Sequence, residues 1–184
     1  MAAAIGLLEL SSIAGGFVAQ DAMLKAAEVE LLMARTICPG KYLILIGGRV
    51  AAVKTSMRSG ADAGAGFIVD QLVIPNVDQR IFPAIGGGVD IPQDYDKALG
   101  VMETFSSVSI ILAADAAVKA ANITLFRVHV AMAIGGKGFM LLCGDVASVK
   151  TAVSAAAAAI KEEGMLVNMA VISGASKALF GEYL

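Results

Sequence analysis

The 184-residue chain has no tryptophan and draws only 5% of its residues from the aromatics, while its 14 lysines and arginines form no cluster against 16 aspartates and glutamates. Nucleic-acid binding calls for a basic patch, so this composition gives little reason to expect it. Cysteine is scarce as well. Cys38 and Cys143 lie far apart in the chain and make no C-x-x-C pair, a usage that fits a reducing compartment, where thiols stay free or bind metal. There is no nucleophile elbow, no H-E-x-x-H and no dinucleotide fingerprint; without a catalytic constellation the chain is read as something other than an enzyme. Long apolar runs are missing too. Leu43 to Ile46, Val108 to Ala114 and Ala155 to Ile160 are far shorter than the roughly 20 residues of a membrane-spanning helix. Met1-Ala-Ala-Ala leads straight into a strand-like run with no basic leader, so nothing directs export.

What the chain does have is an apolar excess and a repeat. Hydrophobic residues make up 58% of it and the mean hydropathy is +0.78. Much of the excess is alanine, which suits closely packed helices and flat interfaces, and extensive burial between copies of the chain is expected. Ala4-Ile-Gly-Leu-Leu-Glu9 returns as Ala98-Leu-Gly-Val-Met-Glu103, and Asp21-Ala-Met-Leu-Lys-Ala-Ala27 as Asp115-Ala-Ala-Val-Lys-Ala-Ala121, both 94 residues on. Two inserted residues later, Gly40-Lys41 matches Gly136-Lys137 and Val50-Ala-Ala-Val-Lys54 matches Val146-Ala-Ser-Val-Lys150. Each copy, about 90 residues, is a whole small domain and too long for a solenoid repeat that buries its core only by stacking. The expected division is a first domain over 1–85, a linker over 86–97 marked by Gly86-Gly-Gly88, Pro92 and Tyr95, and a second domain over 98–184.

In the first copy Ile5 to Leu10 reads as a buried strand, Ser11 or Ser12 as the cap of a helix through Ala27, Val29 to Ile37 and Lys41 to Ile46 as strands, Val50 to about Ala61 as a helix, and Phe67 to Ile74 as a strand stopped by Pro75. The second copy repeats this over Leu99 to Thr104, a helix to Ala121, Leu125 to Ala133, Lys137 to Cys143, an alanine-rich helix from Val146 to about Glu163, and Leu166 to Ile172. The order β-α-β-β-α-β, twice, predicts an α+β chain of two tandem ferredoxin-like domains, a class that hosts many unrelated functions.

Ala-Ile-Gly-x-x-Glu on the first strand, Asp-Ala-x-x-Lys-Ala-Ala on the first helix, Gly-Lys before the third strand and Val-x-x-Val-Lys opening the second helix together resemble the shell proteins of bacterial microcompartments, over nearly the whole chain. The resemblance implies a homotrimer that imitates a hexamer, each chain supplying two of six positions in a tile of a shell in the bacterial cytoplasm. It implies pore loops at Thr36, Ile37, Cys38, Pro39 and Gly40 and at Ala133, Ile134, Gly135 and Gly136, tile-edge contacts at Lys25 and Lys119, and other shell proteins as partners. Cys38 in Thr-Ile-Cys-Pro-Gly-Lys, with no cysteine in the matching loop of copy two, is similar in particular to the tandem type found in propanediol-utilisation shells. That likeness implies a 4Fe-4S cluster, or 3Fe-4S after loss of one iron, shared by three subunits through Cys38 at the three-fold pore, moving electrons or clusters across the shell to a redox enzyme inside. One departure stands out. Many shell proteins follow the last strand with Pro-Arg-Pro-His, whose arginine helps to join tiles, whereas here the sequence runs Ile74-Pro-Asn-Val-Asp78 and Ile172-Ser-Gly-Ala-Ser176.

From the residues alone, other readings stay open. Iron–sulfur clusters normally draw three or four thiolates from one chain, so a free pore-loop thiol without metal stands beside the cluster, and with it a shell pore that conducts metabolites. Cys143 replaces the small Gly47 and is read as a buried apolar residue. Gly135-Gly-Lys-Gly138 lacks phosphate-loop spacing and is read as a tight turn, though a trimeric small-ligand sensor would use it for an anion. Lys25 and Lys119 each follow an Asp four positions back, which as a surface pair is worth only a few tenths of a kcal/mol. Glu9 and Glu103 recur as structural hydrogen-bond acceptors, and His129 is read as structural.

Overall fold

The computed structural model describes residues 3–90, 98–130, 132–162 and 164–181. Residues 91–97 of the expected linker, with Pro92 and Tyr95, lie outside the described residues, as does Glu163, the expected end of the alanine-rich helix.

The first strand, β1 (Ala4–Leu10), is buried along its whole length. It pairs antiparallel on both edges, with β3 (Lys41–Gly48) and β4 (Ile68–Pro75), and a central strand covered on both faces is apolar at nearly every position instead of alternating. Between β1 and β2 (Glu30–Ile37) runs α1 (Ile13–Ala26), whose cap Ser12 accepts the Gly15 N–H at 3.1 Å. Such a cap satisfies one of the helix's free amides. Between β3 and β4 runs α2 (Val50–Ala63), giving the sheet order β2-β3-β1-β4.

A short helix, α3 (Ile81–Gly86), begins the stretch that composition assigned to a linker. The second repeat then lays down β5 (Ala98–Thr104), α4 (Ser107–Ala120), β6 (Thr124–Val130), β7 (Gly138–Gly144), α5 (Val146–Ala159) and β8 (Leu166–Ile172), with sheet order β6-β7-β5-β8, and α6 (Ala178–Gly181) follows. Even the irregularities are duplicated. Register slips between Glu9 and Leu10 and between Leu31 and Met33 recur between Glu103 and Thr104 and between Leu125 and Arg127. Recurrence at matched positions marks these bulges as features of the fold. β6 stops at Val130, short of the expected Ala133, where φ is +60° and cannot continue a strand. α5 ends at Ala159.

One face of the first sheet packs its Leu8, Leu10, Ile44 and Ile46 against Ala19 and Met23 of α1 and Val53 and Met57 of α2. Close approach of helix to sheet needs the repeated glycine: a Cβ on Gly6 would lie 2.7 Å from Met57 Cγ, and one on Gly100 2.7 Å from Leu142 and 3.0 Å from Val149 and Val153. The chain divides into two compact units, the first holding Met1–Val77, Ser106–Val108 and Ala131–Gly136, the second Asp78–Phe105, Ser109–Val130 and Lys137–Leu184. No helix among the described residues is long and apolar enough to cross a membrane. Gly100→Ala is expected to lower stability by about 1–3 kcal/mol through overpacking, read as a lower urea midpoint with an unchanged slope.

Candidate functional site

In the first unit, β2 carries Thr36 at the surface and Ile37 into the core, then turns through half-buried Cys38 and exposed Pro39 and Gly40 into β3. Ile37 and Lys41 pair across the turn, the Cys38–Pro39 peptide is cis, and Gly40 has φ +71°. Seated on this turn is Gly136. Its φ is +86°, and a Cβ there would lie 2.9 Å from both the Cys38 carbonyl oxygen and Pro39 Cδ. Conformation and space both demand glycine here. Ala133 and Gly135 are exposed and Ile134 half-buried, so the two loops read from the sequence share one unit, side by side.

Beneath the turn sits a buried charge. The Glu9 carboxylate on β1 is fully buried, and it accepts from Lys41 Nζ through Oε1 and from the Ser107 N–H through Oε2, the latter at 2.8 Å. A carboxylate in that position is tolerated only with its oxygens answered. In the second unit the repeat is looser: Lys137 Nζ lies 3.2 Å from Glu103 Oε2, and both side chains are partly exposed. Glu9 and Glu103 are thus acceptors, and the recurring Gly-Lys supplies their partners. The antiparallel register that places Glu9 opposite Leu43 puts Lys41, two residues on, on the same face. Those two recurring motifs were the signal for the pair.

The iron–sulfur expectation is corrected. A cluster takes three or four thiolate ligands, whereas among the described residues no group of three or more His, Cys, Asp and Glu side chains could hold a metal ion. Cys38 offers one thiol beside Pro39 and glycines, and Cys143 is buried among Leu99, Phe126, Leu141, Ala175 and Phe180. The donor set does not fit a 4Fe-4S or 3Fe-4S cluster, and electron transfer through Cys38 falls with it. His129 stacks flat on Phe139 with centroids 5.0 Å apart, in keeping with a packing role.

Lys25 and Lys119 stand apart from the loops. Lys25 Nζ is 2.6 Å from Asp21 Oδ2 and Lys119 Nζ 2.6 Å from Asp115 Oδ2. Around Asp115 the second unit builds a clamp that the residue pattern did not disclose: the Asp78 N–H donates to Asp115 Oδ1 at 2.8 Å, while the Arg80 guanidinium donates to Asp78 Oδ2 at 2.8 Å and to the Val118 carbonyl at 2.7 Å. The Arg80 hydrogen bonds hold the Asp78 carboxyl down at about 2. The clamp occupies the stretch that departs from Pro-Arg-Pro-His, and that departure was its only trace in the sequence.

The BMC domain profile matches residues 4–77 and again 98–175. The chain belongs to the BMC-domain family of bacterial microcompartment shell proteins, with two domains in tandem, and is a structural protein, not an enzyme. It is closely related to PduT-type shell proteins: bacterial microcompartment shell protein PduT of Citrobacter freundii is 48% identical over 172 residues, covering 94% of this chain and 92% of that one. The carboxysome shell protein CsoS1 of Prochlorococcus marinus matches at 34% over 92 residues, 48% of this chain and 88% of its own. A crystal structure of a microcompartment protein from Desulfitobacterium hafniense shares 45% identity with a TM-score of 0.85, covering 96% of this chain and 97% of that one.

The two Glu–Lys pairs make a matched test. Lys41→Met leaves the buried Glu9 charge without its ion partner and is expected to lower stability by about 3–5 kcal/mol, whereas Lys137→Met at the partly exposed pair is expected to cost about 0–1 kcal/mol. Urea titrations of the two variants read the difference directly.

Proposed function

We propose that the chain is the subunit of a trimeric shell tile in the bacterial cytoplasm, and that its three-fold axis is a metal-free pore for small metabolites. Domains 1–85 and 98–184, joined through 86–97, supply two of six positions. Thr36, Ile37, Cys38, Pro39 and Gly40, with Ala133, Ile134, Gly135 and Gly136, form its rim. The observation that carries this reading is the seating of Gly136 on the Cys38-Pro39 turn, which gives each chain two adjacent loops and a trimer six. No charged side chain belongs to either loop, and the nearest lysines, Lys41 and Lys137, are paired with Glu9 and Glu103. Lys25 and Lys119 are assigned to the tile edge, where other shell proteins dock; both ammonium groups keep substantial exposure despite their Asp partners. An enclosed redox enzyme has no part in this reading, since the described residues offer no ligand set for a cluster.

Sedimentation is expected to give the mass of a trimer, and a stable monomer or dimer would overturn the tile. With Cys38 on a three-fold axis, a bivalent maleimide linker joins two chains and leaves the third single, a trivalent one joins all three, and Cys38→Ser abolishes both products. Failure of the trivalent linker on a proven trimer would move Cys38 off the axis. Lys25→Ala with Lys119→Ala is expected to leave the trimer intact and weaken sheet formation seen by electron microscopy, and unchanged sheets would return both lysines to the solvated surface.

A further inference from the structure

The turn that follows each repeat is the same turn. After β4 the Asp78 carbonyl accepts the Ile81 N–H at 3.2 Å, and after β8 the Ser176 carbonyl accepts the Leu179 N–H at 3.0 Å. Ile74 and Ile172 hold the same register, against Ile5 and Leu99, and Asp78 and Ser176 each lie four residues further on. The first turn is seated: the Asp78 N–H bonds to Asp115 on α4, and Arg80 reaches the Val118 carbonyl of the same helix.

The second turn and the second helix are left over, one of each per chain. The helix matching α4 is α1, with Asp21 in the place of Asp115. The Asp115 side chain is 7% exposed and Asp21 62%. Ile111 of α4 is 1% exposed, while Phe17, its match on α1, is 60%. The strand end shows the same contrast, with Ile74 at 4% and Ile172 at 40%. Single exposed apolar residues are ordinary, but two surfaces that are each buried in their duplicate mark a missing contact.

We infer that residues 172–177 of a second copy close over α1 of the first, the Ser176 N–H donating to Asp21 as the Asp78 N–H donates to Asp115. The occupant is another copy of this chain because the turn that fits α1 is the chain's own. One free helix and one free turn per chain define a head-to-tail contact, which closes into a ring when the rotation allows. The joint rests on the trimeric reading and specifies its contact: in the assembly Asp21 becomes buried, and Lys25 remains at the surface as Lys119 does.

The test uses the full chain carrying Cys38→Ala, so that no other exposed thiol competes. Asp21→Cys with Ser176→Cys, under mild oxidation, is expected to give covalent trimers on a non-reducing gel, since a backbone amide within hydrogen-bond reach of an Asp side chain sets Cα atoms at a spacing a disulfide can bridge. Asp78→Cys with Asp115→Cys is the control and is expected to close within one chain. As a second variant, Phe17→Lys is expected to shift the mass from trimer to monomer with an unchanged circular dichroism spectrum. A trimer by mass in which the Asp21→Cys, Ser176→Cys protein forms no disulfide between chains, or a Phe17→Lys protein that stays trimeric, overturns the joint and leaves the tile standing; a monomeric unsubstituted chain overturns both.

Discussion

Glu9 sits in the middle of a four-stranded sheet with no contact with water, and the geometry around the loops follows from how its charge is met. An isolated carboxylate in that environment is penalised by several kcal/mol, so both oxygens need donors. Lys41 Nζ serves one and the Ser107 N–H the other. Lys41 opens β3, immediately after the Cys38-Pro39-Gly40 turn, so the ion pair holds the base of that turn to the central strand. The turn's position is thereby tied to the core, and Gly136 has a fixed surface to rest on. A buried pair is weak ground for net stability, but it is a strong constraint on register, because sliding β3 would strand the charge.

Duplication then allows the two copies to diverge where the fold does not forbid it. Gly6 and Gly100 are both retained because helices α2 and α5 each press against their sheets at that point. Glu103 and Lys137 keep the chemistry of the pair, yet at 3.2 Å and with partial exposure they are under less obligation. Cys38 has no cysteine counterpart in the second loop, and with no ligand group assembled around it it stands as a side chain of the loop.

The fold was legible because its determinants are local and were written twice. Strand β1 shows as a continuous apolar run, Ser12 as a cap, Pro75 as a stop, and an offset common to both copies separates the signal from chance. What escaped were features set by contacts distant in sequence. The α3 segment was read as linker because Phe82-Pro83 and Gly86-Gly-Gly88 look like breakers, whereas Pro83 sits early in a short helix, where its missing N–H costs nothing. β6 was read three residues too long because Val130 to Ala133 keeps strand-like composition, and the left-handed Ala133 leaves no trace in residue type. The Asp78–Asp115 bond was invisible for the same reason: Asp115 recurs with Asp21, but nothing in the residues tells which of the two has a backbone amide over it. The metal expectation failed differently, since it came from likeness in one loop and the residues around that loop supply no ligand set.

The high hydropathy of the chain can be apportioned on the same physical grounds. A core of this size accounts for residues such as Leu8, Ile44 and Met57, but not for Phe17, Val18 and Ile172, which stand in contact with solvent in the single chain. A membrane does not account for them either, because no described helix has the length or apolarity to span one. Their matches in the other repeat are buried, so the excess lies where one half of the duplicated chain has found its cover and the other half has not. Hydropathy in this sequence therefore measures two kinds of burial at once: folding within the chain, and assembly between chains built from the same pieces.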